Sequence, residues 1–146
     1  MSIDPNVMKQ LMAELRGVHK EKRRTAVMKL GMVGGDQAVR ALISTVTNEY
    51  EDLIVRGRAA LMLGKLGDAR AVDPLIRALD APGFQTPLNA AQSLGQLGDQ
   101  RAIEPLLAMA SSGKDKTRDA ALTALSQLGY DLEEVAIGPE QEPEIS

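Results

Sequence analysis

Cysteine is absent from the 146 residues. Disulfides, thiol nucleophiles and thiolate metal sites are therefore excluded. There is no tryptophan, one phenylalanine and two tyrosines, which argues against a single aromatic-rich core. A thin, continuous core of Ala, Leu, Val, Ile and Met is the alternative. Histidine occurs once, at His19, so no serine has an evident base beside it. No run of about 20 apolar residues exists to cross a bilayer. The N-terminus lacks the basic start and apolar stretch of a secretion signal. The expectation is a soluble cytoplasmic protein without membrane insertion.

Other chemistry is scarce as well. The glycines of GMVGG at Gly31 to Gly35 close a helix instead of joining a strand to one, and no lysine-serine pair follows, so a phosphate loop is disfavoured. No spacing marks a carboxylate pair for acid-base work or a carboxylate metal site. No catalytic residue, metal ligand or cofactor is assigned. The net charge is -3, which counts against general nucleic-acid binding. The charge is unevenly spread. From Arg16 to Arg40 there are seven basic and two acidic residues, whereas Asp131 to Ser146 holds six acids and no base. The two ends can attract each other or meet different partners.

What the chain does have is a repeat. The stretch VRGRAALMLGKLGDARAVDPLIRAL, from Val55 to Leu79, carries Ala59, Ala60, Leu63 and Leu66 ahead of a Gly-Asp junction. Val72, Leu75, Ile76 and Leu79 follow it. Spacings of three and four place each set on one side of a helix. Gly34, Gly67, Gly98 and Gly129 recur at intervals of 33, 31 and 31 residues. Leu30, Leu63, Leu94 and Leu125 precede them. A period near 31 residues built from two helices marks an all-α solenoid.

The expected organisation is one domain over 1–137. It opens with a partial repeat at 4–17, an unpaired second helix capped by Asp4. Repeats follow at about 20–48, 52–80 and 86–110, with a degenerate one at 115–137 and a flexible acidic tail at 138–146. Asp68 and Asp99 read as helix caps. Arg70 and Arg101 beside them can pair locally or reach the preceding repeat. Pro74 and Pro105 fall early in second helices, where a missing N–H costs little. Thr86 reads as the cap of the next helix, ahead of Pro87. Whether 130–137 forms a capping helix is open. Leu122 and Leu125 are expected to be partly uncovered, which makes the C-terminal end a candidate homo-oligomer contact.

These residues resemble a HEAT-like repeat of the phycobilisome-lyase type, over about Lys20 to Gly129. In similar repeats an arginine often precedes the small-residue helix, and Arg23, Arg56 and Arg118 hold that position here. Pro87 replaces it in the third repeat, where any polar ladder through this arginine is broken. The resemblance implies a right-handed alpha-alpha superhelix, a short HEAT-like solenoid whose second helices line a concave wall. Relatives include subunits that attach or remove bilin chromophores, small scaffold proteins and accessory modules of a tRNA-modifying enzyme. A further relative, deoxyhypusine hydroxylase, holds two irons through His-Glu pairs. The single histidine excludes that chemistry.

The primary reading is a non-catalytic scaffold or adaptor that binds another protein on its concave surface. The candidate residues there are Arg40, Ser44, Asp73, Arg77 and Glu104. Secondary candidates are the basic run Lys20, Lys22, Arg23 and Arg24, the loop residue Tyr50, and Phe84, which either folds back onto helix ends or stays exposed as a contact. The alternatives are a component of a lyase-like chromophore-handling enzyme, with Arg40, Arg77 and Arg56 as cations, and a nucleic-acid accessory module using Lys20 to Arg24.

Overall fold

In the computed structural model, which describes residues 4–133, eight α-helices and two short 3-10 turns follow one another without a strand. They are α1 (Pro5–Leu15), α2 (Lys20–Val33), α3 (Asp36–Thr47), α4 (Leu53–Leu66), α5 (Val72–Ala78), α6 (Gln85–Leu97), α7 (Ile103–Ser112) and α8 (Asp115–Gln127). The all-α expectation holds. Helices α2, α4, α6 and α8 stack on one another as one layer. Helices α1, α3, α5 and α7 form the second layer, each packed on the first-layer helix that follows it. No helix among the described residues is long and apolar enough to cross a membrane.

The leucine stripes build the seam between the layers. Leu30, Leu42, Leu63, Leu75, Leu94, Leu106 and Leu125 are fully buried. At roughly 1.5–3 kcal/mol for each buried aliphatic side chain, this row is the main source of cohesion. Leu125 is thus covered, contrary to expectation, whereas Leu122 is half-buried. The tail at 138–146, and the part of the 130–137 segment beyond Glu133, lie outside the described residues.

Helix ends follow the local chemistry. Asp4 accepts from Asn6 N–H, and Asp52 from Val55 N–H. Asp68 and Asp99 accept from the N–H of Arg70 and Arg101, but each opens a 3-10 turn, and the α-helix starts only at Val72 or Ile103. Gly67 and Gly98 end their helices in the left-handed region, at φ 68° and 71°, where a side chain is disfavoured. The Thr86 cap is not formed. Helix α6 begins two residues earlier than that cap requires, at Gln85, so Thr86 lies inside its first turn, and its Oγ1 is buried without a hydrogen-bond partner.

The first layer is drawn tight by glycines within the helices. A Cβ placed on Gly31 would stand 2.6 Å from Met62 Cβ, one on Gly64 2.7 Å from Ser93 Cβ, and one on Gly95 3.0 Å from Ala124 Cα. Each glycine is the hollow that receives a side chain or backbone of the next helix in the layer. Ser93 uses the close approach to donate to the Ala60 carbonyl at 2.6 Å, and Asn89 donates to the Gly57 carbonyl at 2.8 Å.

Candidate functional site

Arginines join the repeats in two ways. The first is a clamp on the end of a second-layer helix. Arg56 of α4 is only 5% exposed and donates from Nε and a terminal nitrogen to the Val46 carbonyl, at 3.2 and 3.1 Å. Arg118 donates to the Ala110 carbonyl, and Arg23 to Gly17 at 3.0 Å. A cation at a helix C-terminus satisfies carbonyls that lack intrahelical partners and meets the negative end of the dipole. Arg56 is therefore spent on structure and is no candidate for a ligand carboxylate. Pro87 supplies no such clamp, as expected. There α5 ends on a run of tight turns in which Leu79, Asp80 and Ala81 donate to Ile76, Arg77 and Ala78.

The second device is a ladder of ion pairs. Arg70 pairs with Asp68 of its own junction at 2.9 Å and with Asp36 of the preceding repeat at 2.6 Å. Arg101 repeats this with Asp99 at 3.0 Å and Asp73 at 3.3 Å. Arg24 pairs with Asp52 at 2.9 Å, and Arg23 with Glu51 at 3.1 Å. These contacts hold carboxyl groups ionised. Hydrogen bonding from Arg24 lowers Asp52 to about 2, and Arg70 lowers Asp68 to about 2. Asp36 is lowered by Arg70 and then Arg40, and Asp99 by Arg101.

The structure thereby divides the expected basic run. Arg23 and Arg24 are half-buried in ion pairs across to the next repeat, whereas Lys20 and Lys22 are exposed. Arg40, Ser44, Asp73, Arg77 and Glu104 all lie exposed on the second layer. Asp73 is engaged by Arg101, and Arg40 by Asp36 at 3.0 Å. Tyr50 is 96% and Phe84 58% exposed, so the phenylalanine takes the exposed of its two expected placements.

Four of the candidates meet in one place. An open cleft of about 620 Å³ lies between α1 and α3, lined by Arg40, Ser44, Arg23 and Tyr50 among others. Met12, Leu15 and Arg16 form the α1 wall. Gln37, Arg40, Ala41, Ser44 and Thr45 form the α3 wall, with Asn48 at its end. Arg16, Gln37 and Asn48 were not singled out from the sequence. Gln37 and Asn48 follow by helical spacing from Arg40 and Ser44 on the α3 face, whereas Arg16 is the C-cap of α1, near the end of the partial repeat. Three guanidiniums, those of Arg16, Arg23 and Arg40, face this cleft against the single carboxylate of Glu51. Asp73, Arg77, Glu104, Lys20, Lys22, Arg24 and Phe84 are not part of its lining. Among the described residues no group of His, Cys, Asp and Glu is placed to hold a metal.

The comparisons agree with this architecture. A family model described as HEAT repeats matches residues 8–86 and 84–137. Among solved structures, the complex of CpcE and CpcF of phycocyanin lyase from Nostoc sp. PCC7120 is similar at 31% identity and a TM-score of 0.70, over 88% of this chain and 55% of that chain. An engineered protein, at 19% identity and a TM-score of 0.64, matches over 89% of this chain and 65% of its own, and shows the fold alone. The chain thus spans little more than half the length of the lyase chain it resembles. No curated protein matches it. The stacked two-helix units, their period and the family match together place this chain in the HEAT repeat family.

Proposed function

We propose that this chain is a non-catalytic interaction module that holds another protein on its second-helix layer. The observation that carries the reading is the α1–α3 cleft, about 620 Å³ and open to solvent, with cations, amides and hydroxyls on rigid helical walls. Walls that are already ordered reduce the entropic cost of association. A photo-crosslinker at Ser44 tests the reading in cells. The expected result is a saturable adduct with one protein, weakened by Arg40→Glu and Arg77→Glu. Absence of any saturable adduct overturns it, and unchanged affinity in both variants moves the contact off this layer.

A second reading has its own support, the 31% identity to the phycocyanin lyase complex over 88% of this chain. In that reading the chain is one component of a chromophore-handling enzyme, and Arg40 and Arg77, both exposed, meet the carboxylates of a bilin. Mixing the pure protein with a bilin and following its absorbance is the direct test. An unshifted spectrum rules this reading out. The nucleic-acid alternative is weakened, because Arg23 and Arg24 are already neutralised by Glu51 and Asp52.

A further inference from the structure

The cleft between α1 and α3 has features that specify what enters it. Its α3 wall presents Gln37, Arg40, Ser44 and Asn48, which recur every three or four residues along one helix face. From Gln37 to Asn48 this face is about 16 Å long at the helical rise. That length suits about five residues of extended chain. The two ends of the wall carry side-chain amides. The Asn48 carbonyl oxygen is occupied by Tyr50 N–H at 3.0 Å, which leaves its NH2 as donor. Gln37 is exposed and offers both a donor and an acceptor. Such groups match the backbone of an extended peptide.

Charge sets the rest of the specificity. Arg23 is held by Glu51 and the Gly17 carbonyl, so it shapes the cleft without offering a free charge. Arg16 and Arg40 are both exposed at its walls. The carboxylate that pairs with Arg40, Asp36, is shared with Arg70 at 2.6 Å. Met12, Leu15 and Ala41 add apolar surface to the same lining. Arg16, and an Arg40 whose carboxylate partner is shared, cannot track a polynucleotide, which needs a concentrated basic surface. They suit one or two carboxylates beside an aliphatic residue.

Building on the proposed protein-binding role, we infer that the α1–α3 cleft binds an extended acidic segment of the partner, with Arg16 and Arg40 on its carboxylates and Gln37 on its backbone. The test uses the intact chain and a fluorescein-labelled peptide library randomised around fixed glutamates, read by anisotropy. Controls are the same library with glutamines in those positions, a phosphoserine library and a single-stranded oligonucleotide. The glutamate library should bind saturably and weaken with salt. Glutamine replacement, or Arg16→Glu with Arg40→Glu, should cost roughly tenfold in affinity. Gln37→Ala should lower affinity without changing the salt dependence, and Arg77→Glu should change it less than about twofold.

Equal binding of the glutamine library, or tighter binding of the phosphoserine library or the oligonucleotide, overturns the inference. So does an equal loss from Arg77→Glu. If the partner crosslinked at Ser44 survives reversal of Arg16 and Arg40 but is lost with Arg77→Glu, the cleft assignment falls and the protein-binding reading stands. If neither peptide nor crosslinked partner is found, both fall.

Discussion

Two glycines of the same helix should respond in opposite directions to the same substitution. Gly57 and Gly64 both lie inside α4, where alanine is intrinsically better by about 1 kcal/mol. At Gly57 the new methyl would meet Asn89, Gln85 and Thr86 at 3.5 Å, ordinary contact distance. Gly57→Ala should therefore stabilise by about 0.5–1 kcal/mol. At Gly64 the methyl would stand 2.7 Å from Ser93 Cβ. A Cβ cannot be moved by rotating its own side chain, so α4 and α6 must separate. Overpacking of this kind costs about 1–3 kcal/mol. Separation also strains the Ser93 bond to the Ala60 carbonyl, now 2.6 Å and worth about 1 kcal/mol. After the helix-propensity gain, Gly64→Ala should destabilise by about 1–3 kcal/mol.

Urea unfolding followed by far-ultraviolet circular dichroism measures both changes as shifts of midpoint at constant slope. A control sharpens the argument. Ser93→Ala keeps the Cβ and so should not rescue Gly64→Ala. A Gly64→Ala protein as stable as the parent, or rescued by Ser93→Ala, would refute the close α4–α6 seam. A loss at Gly57 would refute the space assigned there.

Other consequences follow from the same geometry. Arg56→Ala removes a buried clamp on the Val46 carbonyl and leaves a hole, so it should cost about 2–4 kcal/mol; Arg118→Ala, at a half-buried site, should cost less in the same urea assay, where no loss at Arg56 would contradict the clamp and equal losses would contradict the role given to burial. Thr86→Val deletes a buried hydroxyl that has no partner at nearly constant shape and should stabilise by about 1 kcal/mol, whereas a fall in the unfolding midpoint would mean that the hydroxyl is bonded. Asp52 and Asp68 titrate at about 2, below the ordinary 3.8, so their contribution is complete above that ordinary value and is lost as pH falls toward about 2. The melting temperature should drop across this window, and less steeply in Asp68→Asn; a flat profile would show that these ion pairs do not support folding.

The repeat was legible because the same positions face the same seam in every unit. Leucine at one face and Gly-Asp at the junction report periodicity directly, and the Arg56 and Arg118 clamps fell at a recurrent position beside them. The glycine seam carried a signal too, since Gly31, Gly64 and Gly95 recur at 33 and 31 residues, the spacing of the junction glycines. It is missed when only apolar residues are tracked, because a hollow contributes no hydrophobicity. Thr86 misled for a different reason. A threonine before proline carries the local chemistry of a cap, but packing of α6 on α4 starts the helix at Gln85. The cleft had only a partial local signature, the helical spacing of Arg40 and Ser44. It forms between α1 and α3 only in the folded stack, and Arg16 enters it from the C-cap of α1.

The arginines separate what the repeat needs from what it leaves free. Arg23, Arg24, Arg56, Arg70, Arg101 and Arg118 are all committed to neighbouring repeats through carboxylates or helix-end carbonyls. A count of basic residues therefore overstates the surface available to a partner. Position in the repeat is more informative. Arg40, Asp73 and Glu104 occupy corresponding positions of successive second helices, so the exposed charge changes sign between the first repeat and those after it. Asp73 is drawn toward Arg101 and Arg40 toward Asp36, but Asp36 is shared with Arg70, so Arg40 remains the basic end of the row and Glu104 the acidic one. A partner lying along this layer would meet a cation first and an acid last. Charge alone would then fix its direction, because the reversed orientation sets like charges against each other at both ends.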